Sequence, residues 1–202
     1  SSSSLHTIYQ GILRQCDNLR SQVSKNAILT LGDMYIGFGK TGLMDNEVTS
    51  SIAMLIKKCA DSATTFVAST AEESIIHIIE NVSGIKALAG LLLCIDNRNP
   101  VIRGRVAGFI HFLVATKSKS KSNDTKSKSN DTNNFKNCKE IEILKNKLTK
   151  MLNDNTPEAR AYSRDIVREL IKQNVCSQND LEAKIPPDLI LKALTMQQSA
   201  PM

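Results

Sequence analysis

The chain has 202 residues, 41% hydrophobic and only 4% aromatic, with no Trp, five Cys and a formal net charge of +6. That is enough apolar material for a sizeable core in one or two domains, and the composition leans helical. It excludes a membrane span, because the longest apolar run, 87–95, is nine residues, and the N-terminal Ser-Ser-Ser-Ser-Leu-His lacks the charged-then-apolar order of a signal peptide.

Helical periodicity begins at once. Leu5, Ile8, Tyr9, Ile12, Leu13, Cys16 and Leu19 follow the i, i+3, i+4, i+7 spacing of one apolar face. After a break predicted at 18–24, a second helix carries Ala27, Leu31, Met34, Tyr35 and Phe38 and stops in the glycine-rich stretch 37–42. Asp45 is placed to cap a third helix bearing Val48, Ile52, Leu55, Ile56 and Cys59. A fourth runs over 65–82 with Ala71, Ile75, Ile78 and Ile79 on one face. Ser83 caps a fifth, with Ile85, Leu88, Leu91, Leu92 and Ile95.

Asn99-Pro100 reads as a cap followed by a first-turn proline for a sixth helix carrying Ile102, Val106, Phe109, Ile110 and Leu113. Ile141, Leu144, Leu148, Met151 and Leu152 mark a seventh. Thr156-Pro157 repeats the cap-and-proline signal for an eighth, with Ala159, Tyr162, Ile166, Val167 and Leu170, and a last short helix covers 188–196.

Between the sixth and seventh helices, 117–136 holds six lysines and two aspartates, so most of the excess charge sits in one insertion. Lys119-Ser-Lys-Ser-Asn-Asp-Thr125 recurs identically as Lys126 to Thr132. A stretch so poor in apolar residues is expected to be a disordered loop, either a tolerated expansion or a basic clamp.

The helices come in pairs. Anchor residues at the start of each second helix, Val23, Val67, Ile102 and Ala159, are separated by 44, 35 and 57 residues, and removing the insertion reduces the last to 37. Two-helix units of that period are the signature of HEAT- or armadillo-like solenoids, in which each pair buries its apolar face only against the next. Two loops agree in detail: Asp96 to Arg103 and Asp154 to Arg160 each give an Asp, a proline at the first helical position and an Arg three residues beyond it. The expected fold is all-α, an α-solenoid of about four and a half stacked pairs forming one domain over 1–202.

Candidate chemistry is sparse. Gly39-Lys40-Thr41 has the ending of a phosphate-binding loop, but Met34 stands where the leading glycine belongs and a helix leads in instead of a strand. His77 and His111 have no Cys, Asp or Glu at metal-ligand spacing, and Glu72 and Glu73 are adjacent, so they point to different sides of a helix. Cys16, Cys59, Cys94, Cys138 and Cys176 are odd in number and widely spaced, and read as small buried hydrophobes in a reducing compartment. We expect no enzyme, no metal, no cofactor and no small-molecule substrate. Nucleic acid is disfavoured, because the few aromatic residues fall mostly on core-facing positions.

In a helical-pair solenoid the turns within successive pairs share one edge. Basic residues recur in those turns: Arg20, Lys25, Arg98, Arg103 and Arg160. Arg103 and Arg160 have two readings, a partner contact or an internal ladder to a neighbouring repeat's Asp. Lys25, Phe66, Arg98 and Asn99 are expected to project.

The run Asn18 to Asp33 (Asn-Leu-Arg-Ser-Gln-Val-Ser-Lys-Asn-Ala-Ile-Leu-Thr-Leu-Gly-Asp), with Met44-Asp-Asn-Glu47, Arg98-Asn-Pro-Val-Ile-Arg103 and Ile185-Pro-Pro-Asp-Leu189, resembles TOG domains of the CLASP and crescerin type. The resemblance covers 5–115 well and 139–197 more loosely. It implies a microtubule-associated module that binds αβ-tubulin or microtubules through intra-repeat loops, located in the cytoplasm on the cytoskeleton, with the cilium or basal body implied by the crescerin branch. Carried over by position, the contacts are Val23, Lys25, Thr65, Phe66, Arg98, Asn99, Arg103, Thr156 and Arg160. Such domains usually have six repeats and a Trp on the first loop; this chain shows fewer and has no Trp. The alternative is a HEAT-repeat scaffold for a different ciliary or centrosomal protein.

Overall fold

A computed structural model of the chain describes residues 2–60, 65–117 and 136–196. Most of the insertion expected to be a disordered loop lies outside them. Among the described residues there are ten α-helices: α1 (Ser2–Cys16), α2 (Ser21–Phe38), α3 (Val48–Cys59), α4 (Thr65–Asn81), α5 (Gly84–Leu92), α6 (Pro100–Lys117), α7 (Lys139–Leu152), α8 (Pro157–Lys172), α9 (Gln178–Glu182) and α10 (Pro187–Thr195). They form two compact units, Ser1–Cys94 and Ile95–Met202. No described helix is long and apolar enough to cross a membrane.

In the first unit α1 pairs with α2 and α3 with α4, while the two second helices, α2 and α4, pack on each other and α5 closes on α3. Most of the periodic residues are buried: Leu31, Tyr35, Ile52, Leu55, Ile75, Ile78 and Ile79 are solvent-free, joined by Ile28, whereas Ile8, Leu19 and Phe38, expected on the same apolar stripes, are exposed. Three buried hydroxyls run through this core. Tyr35 Oη lies 2.8 Å from Ser51 Oγ, Ser51 Oγ donates to Tyr9 Oη at 3.2 Å, and Tyr9 Oη donates to the Glu47 carbonyl at 3.3 Å. Each polar group is satisfied where water cannot reach, which is the condition for burying it at all.

The α2–α4 contact is unusually close. Ser74 Oγ on α4 donates to the Ile28 carbonyl on α2 at 3.0 Å. A Cβ on Gly39 would sit 2.7 Å from the carbonyl oxygen of Asn81 at the end of α4. Only glycine admits that approach. Gly42, at φ +76°, then lets the chain turn out of the short 3-10 turn Gly39–Thr41. The glycine-rich stretch is therefore a helix end fitted against a neighbour's backbone.

In the second unit α6 and α8 pack on each other, α7 and α10 flank α8, and α9 meets α10. Ile102, Val106, Phe109, Ile110, Leu144, Leu148, Ile166, Val167 and Leu170 form its core. Arg168 pairs with the buried Asp165 and reaches the carbonyls of Ala193 and Met196, fastening the end of α10 to α8.

Three expectations need correction, and one element is additional. α2 begins at Ser21, not after the break predicted at 18–24, because Asn18 Oδ1 accepts the Arg20 N–H at 2.9 Å and turns the chain in four residues. Asp45 does not cap α3; it opens a 3-10 turn, and α3 starts at Val48 with no side-chain cap bond. Val67, Ile102 and Ala159 are buried as core anchors, but Val23 is 36% exposed, and the buried place beside it belongs to Ser24, whose hydroxyl donates to the Cys16 carbonyl at 2.6 Å. The short helix α9 was not foreseen, although Ser177 and Asp180 form a reciprocal capping box at its start. Cys16, Cys59 and Cys176 are buried as expected, and Cys94 and Cys138 are half-buried.

Gly39→Ala is expected to lower stability by about 1–3 kcal/mol through overpacking. Gly37→Ala, whose Cβ meets nothing within 4 Å, is expected to be neutral or stabilising by up to about 1 kcal/mol. Chemical denaturation of the two variants checks the pair, and equal effects would contradict the close-approach account.

Candidate functional site

The candidate residues sit where second helices begin. In the first unit the loop 17–20 leads into α2 and is pinned from several sides. Asp17 accepts from Lys58 Nζ at 2.6 Å and Lys57 Nζ at 3.0 Å, and those two lysines hold its carboxyl below the ordinary carboxylate range. Asn18 Nδ2 donates to Gln15 Oε1 at 2.8 Å.

Just beyond this loop, Val23 and the half-buried Lys25 lie in the first turns of α2. Lys25 Nζ sits 5.8 Å from the ring centroid of Phe66, in cation–π range. Phe66 is 42% exposed in the first turn of α4, beside the exposed Thr65. Its carbonyl accepts from the hydroxyls of Thr70 at 2.7 Å and Ser69 at 3.2 Å. The α2–α4 packing thus brings Lys25, Thr65 and Phe66 to one end of the first unit.

In the second unit Arg98 and Asn99 are exposed at the start of α6. Asn99 Oδ1 accepts the Val101 N–H at 2.9 Å, so Asn99 is the cap that Asn99-Pro100 predicts. Arg103 is committed inward. Its Nε and Nη2 reach the two carboxylate oxygens of Asp154 at 2.6 and 3.2 Å, Nη2 also reaches Asn155 Oδ1 at 2.6 Å, and Nη1 donates to the carbonyls of Asn97 and Arg98 at 2.9 and 3.1 Å. Arg160 Nη1 donates to the Asp154 carbonyl at 2.7 Å.

The two similar loops therefore use their Arg in one common way: each closes back onto the carbonyl six residues before it. Arg103 adds the ladder to the next loop. The Thr156 N–H and hydroxyl both donate to Asp154 Oδ1, at 2.9 and 2.6 Å, so Thr156 does not cap α8 through its side chain. Asp96 has a different fate from Asp154, taking Lys147 Nζ at 2.5 Å and Lys150 Nζ at 2.7 Å from α7.

Of the nine candidates, Val23 is exposed in the first turn of α2, and Lys25, Thr65 and Phe66 meet at one end of the first unit. Arg98 and Asn99 stand exposed in the second, and Arg103, Thr156 and Arg160 form the frame that shapes its loops. Leu19, fully exposed at 102%, was not among the candidates.

Elsewhere, the His111 ring lies 6.1 Å from that of Tyr162, tilted by 31°, and burial lowers the His111 pKa. Among the described residues, no group of three His, Cys, Asp or Glu side chains could hold a metal ion.

Comparison with known proteins gives a consistent picture. The family described as CLASP N terminal matches residues 2–185. The chain is 29% identical over 117 residues to crescerin-like protein che-12 of Caenorhabditis elegans, a match covering 57% of this chain and 9% of that protein. It is 30% identical over 88 residues to the mouse TOG array regulator of axonemal microtubules protein 1, covering 44% of this chain and 5% of that protein. The chain thus spans less than a tenth of the length of these relatives. A solved structure, described as showing that crescerin uses a TOG domain array to regulate microtubules in the primary cilium, superposes with a TM-score of 0.63 at 16% identity, over 95% of this chain and 68% of that chain.

The Asp154 frame makes a pH prediction. Burial pushes its carboxyl pKa up, but the Arg103 guanidinium and the Thr156 donors outweigh this and bring it to about 2. A depressed native pKa adds stability that is complete above the ordinary carboxylate value and is lost as pH falls through about 2. Asp154→Asn is expected to cost about 2 kcal/mol at neutral pH, with the gap to wild type closing between about pH 4 and pH 2. Denaturant midpoints measured across that range check it, and a gap that does not depend on pH would contradict it.

Proposed function

The chain belongs to the CLASP N-terminal family as a TOG-type domain of HEAT-like helical pairs, and on that premise we propose that it is a non-catalytic module binding αβ-tubulin or microtubules through the loop ends of its pairs. The observation that carries the reading is the surface those loops present. An exposed ring lies under a lysine in the first unit, and Arg98 and Asn99 stand exposed in the second. An exposed apolar ring beside a cation, and a further exposed cation in the other unit, suit an acidic protein partner. The relatives' names refer to axonemal microtubules and the primary cilium, and we place the chain's action on ciliary or basal-body microtubules.

Arg103, Thr156 and Arg160 act in this reading mainly by holding loop shape. Their donors are spent on Asp154 and on loop carbonyls, so the direct contacts are assigned first to Lys25, Phe66, Arg98 and Asn99. Val23 and Thr65 extend the same surface in the first unit. The two units are proposed to work as one domain over 1–202.

Purified chain is expected to co-elute with αβ-tubulin or to co-sediment with microtubules at low ionic strength. Lys25→Glu combined with Arg98→Glu is expected to weaken that binding about ten-fold or more, mainly through slower association. No binding by the wild-type chain in either assay would contradict the proposal. Full binding by the double variant would move the interaction to another surface.

A further inference from the structure

The charges of α8 are sorted by sign. Arg160, Arg164, Arg168 and Lys172 recur every four residues, so the cations form one stripe along the helix. The carboxylates Glu158, Asp165 and Glu169 fall outside that stripe, and each already has a partner. Glu158 lies 3.7 Å from Arg105 of α6, Asp165 takes Arg168, and Glu169 takes Lys172 and Gln173.

Arg164 is placed differently from the rest. One turn away on either side α8 offers it Arg160, Ala161, Val167 and Arg168, with no carboxylate among them. Its Nε is buried without a hydrogen-bond partner, while part of the side chain reaches solvent. Like charges at this spacing work against a helix, and a buried donor without an acceptor adds to the cost. A local rule broken without compensation inside the chain marks a surface that a partner completes.

The stripe is also fixed in place. Arg168 Nη1 donates to the carbonyls of Ala193 and Met196 at the end of α10, and Arg160 Nη1 donates to the Asp154 carbonyl at 2.7 Å. Lys172, with its side chain 61% exposed, stands at the far end. Cations four residues apart on a helix are separated by a rise of about 6 Å, and alternate residues of an extended chain by about 6.7 Å. A strand-like segment lying along α8 can thus set carboxylates at alternate positions against successive cations. Tyr162, the one aromatic residue of α8, is buried, so the stripe has no ring on which a nucleic-acid base could stack.

We infer that the α8 stripe is a docking surface for an extended acidic segment of a partner protein, with the Arg164 guanidinium gripping one carboxylate. The inference stands on α8 and involves none of Lys25, Phe66, Arg98 and Asn99, so it does not depend on the tubulin reading.

Fluorescence anisotropy with a labelled peptide of alternating Glu and Ser tests it. A peptide with the same number of Glu at every third position and a single-stranded oligonucleotide serve as comparisons. Wild-type chain should bind the alternating peptide saturably at low ionic strength, and more tightly than either comparison. Arg164→Gln should weaken that binding about ten-fold or more, the worth of a charge-assisted hydrogen bond. Arg164→Lys should restore only part of it, because lysine lacks the planar fork. Lys86→Gln, at an exposed lysine of α5, should change nothing. The thermal midpoint of Arg164→Gln should equal or exceed that of wild type, since a like charge leaves the stripe. No peptide binding by wild type, or binding that Arg164→Gln leaves within two-fold, would overturn the inference. A lowered midpoint with peptide binding intact would make Arg164 a structural residue and overturn it too. Tighter binding of the oligonucleotide would overturn the acidic-peptide assignment in favour of nucleic acid.

Discussion

The packing of one second helix directly on the next is the constraint on which the rest of the molecule depends. In the first unit α2 lies on α4 so closely that Gly39 touches the Asn81 backbone and Ser74 reaches the Ile28 carbonyl. In the second, α6 approaches α8 where Gly104 leaves room for the Glu158 carboxylate, 2.8 Å from the position a Cβ would take. Apolar burial drives these helices together, but it is non-directional. The small residues and the few buried hydrogen bonds set how the helices register. Once that register is set, so is the position of everything at their N-terminal ends.

The candidate surface follows from it. Lys25 and Phe66 are 41 positions apart in the chain and meet only because α2 and α4 begin side by side. In the second unit the same geometry brings Arg103 against Asp154, and charge pairing finishes what packing starts. One carboxylate there receives a guanidinium, a hydroxyl and a backbone N–H, so the loops before α6 and α8 are tied to each other. Residues that look alike in sequence consequently divide into two kinds. Arg103 and Arg160 build the loops, and Arg98 and Asn99 are displayed by them. The recognition chemistry is modest: cations, an amide, a ring and exposed aliphatic groups, a set suited to gripping a protein surface.

Much of this was legible in the residues. Pro100 and Pro157 mark helix starts because a proline at the first turn forfeits no helical hydrogen bond. The 3.6-residue stripes of α7 and α8 identify their buried faces, and Ser83 accepts the Lys86 N–H as its position implies. What was not legible depends on contacts distant in sequence. Nothing local distinguishes Asp96 from Asp154, yet one meets lysines of α7 and the other meets Arg103. Val23 fits the repeat spacing, but Ser24 beside it takes the buried place by bonding the end of α1. Leu19 continues the apolar stripe of α1 on paper; the helix stops at Cys16, and the residue is left in the loop with its stripe behind it. The capping box at Ser177 escapes notice because Asp180 replaces the usual Glu or Gln.

The most direct test of the central claim, that the loop ends are what grips tubulin, is amide hydrogen exchange of the chain with and without saturating αβ-tubulin. Protection is expected to concentrate at 18–25, 65–66 and 97–99, with the buried middles of α4 and α8 unchanged. Protection confined to other surfaces, with those three segments exchanging as in the chain alone, would contradict the account.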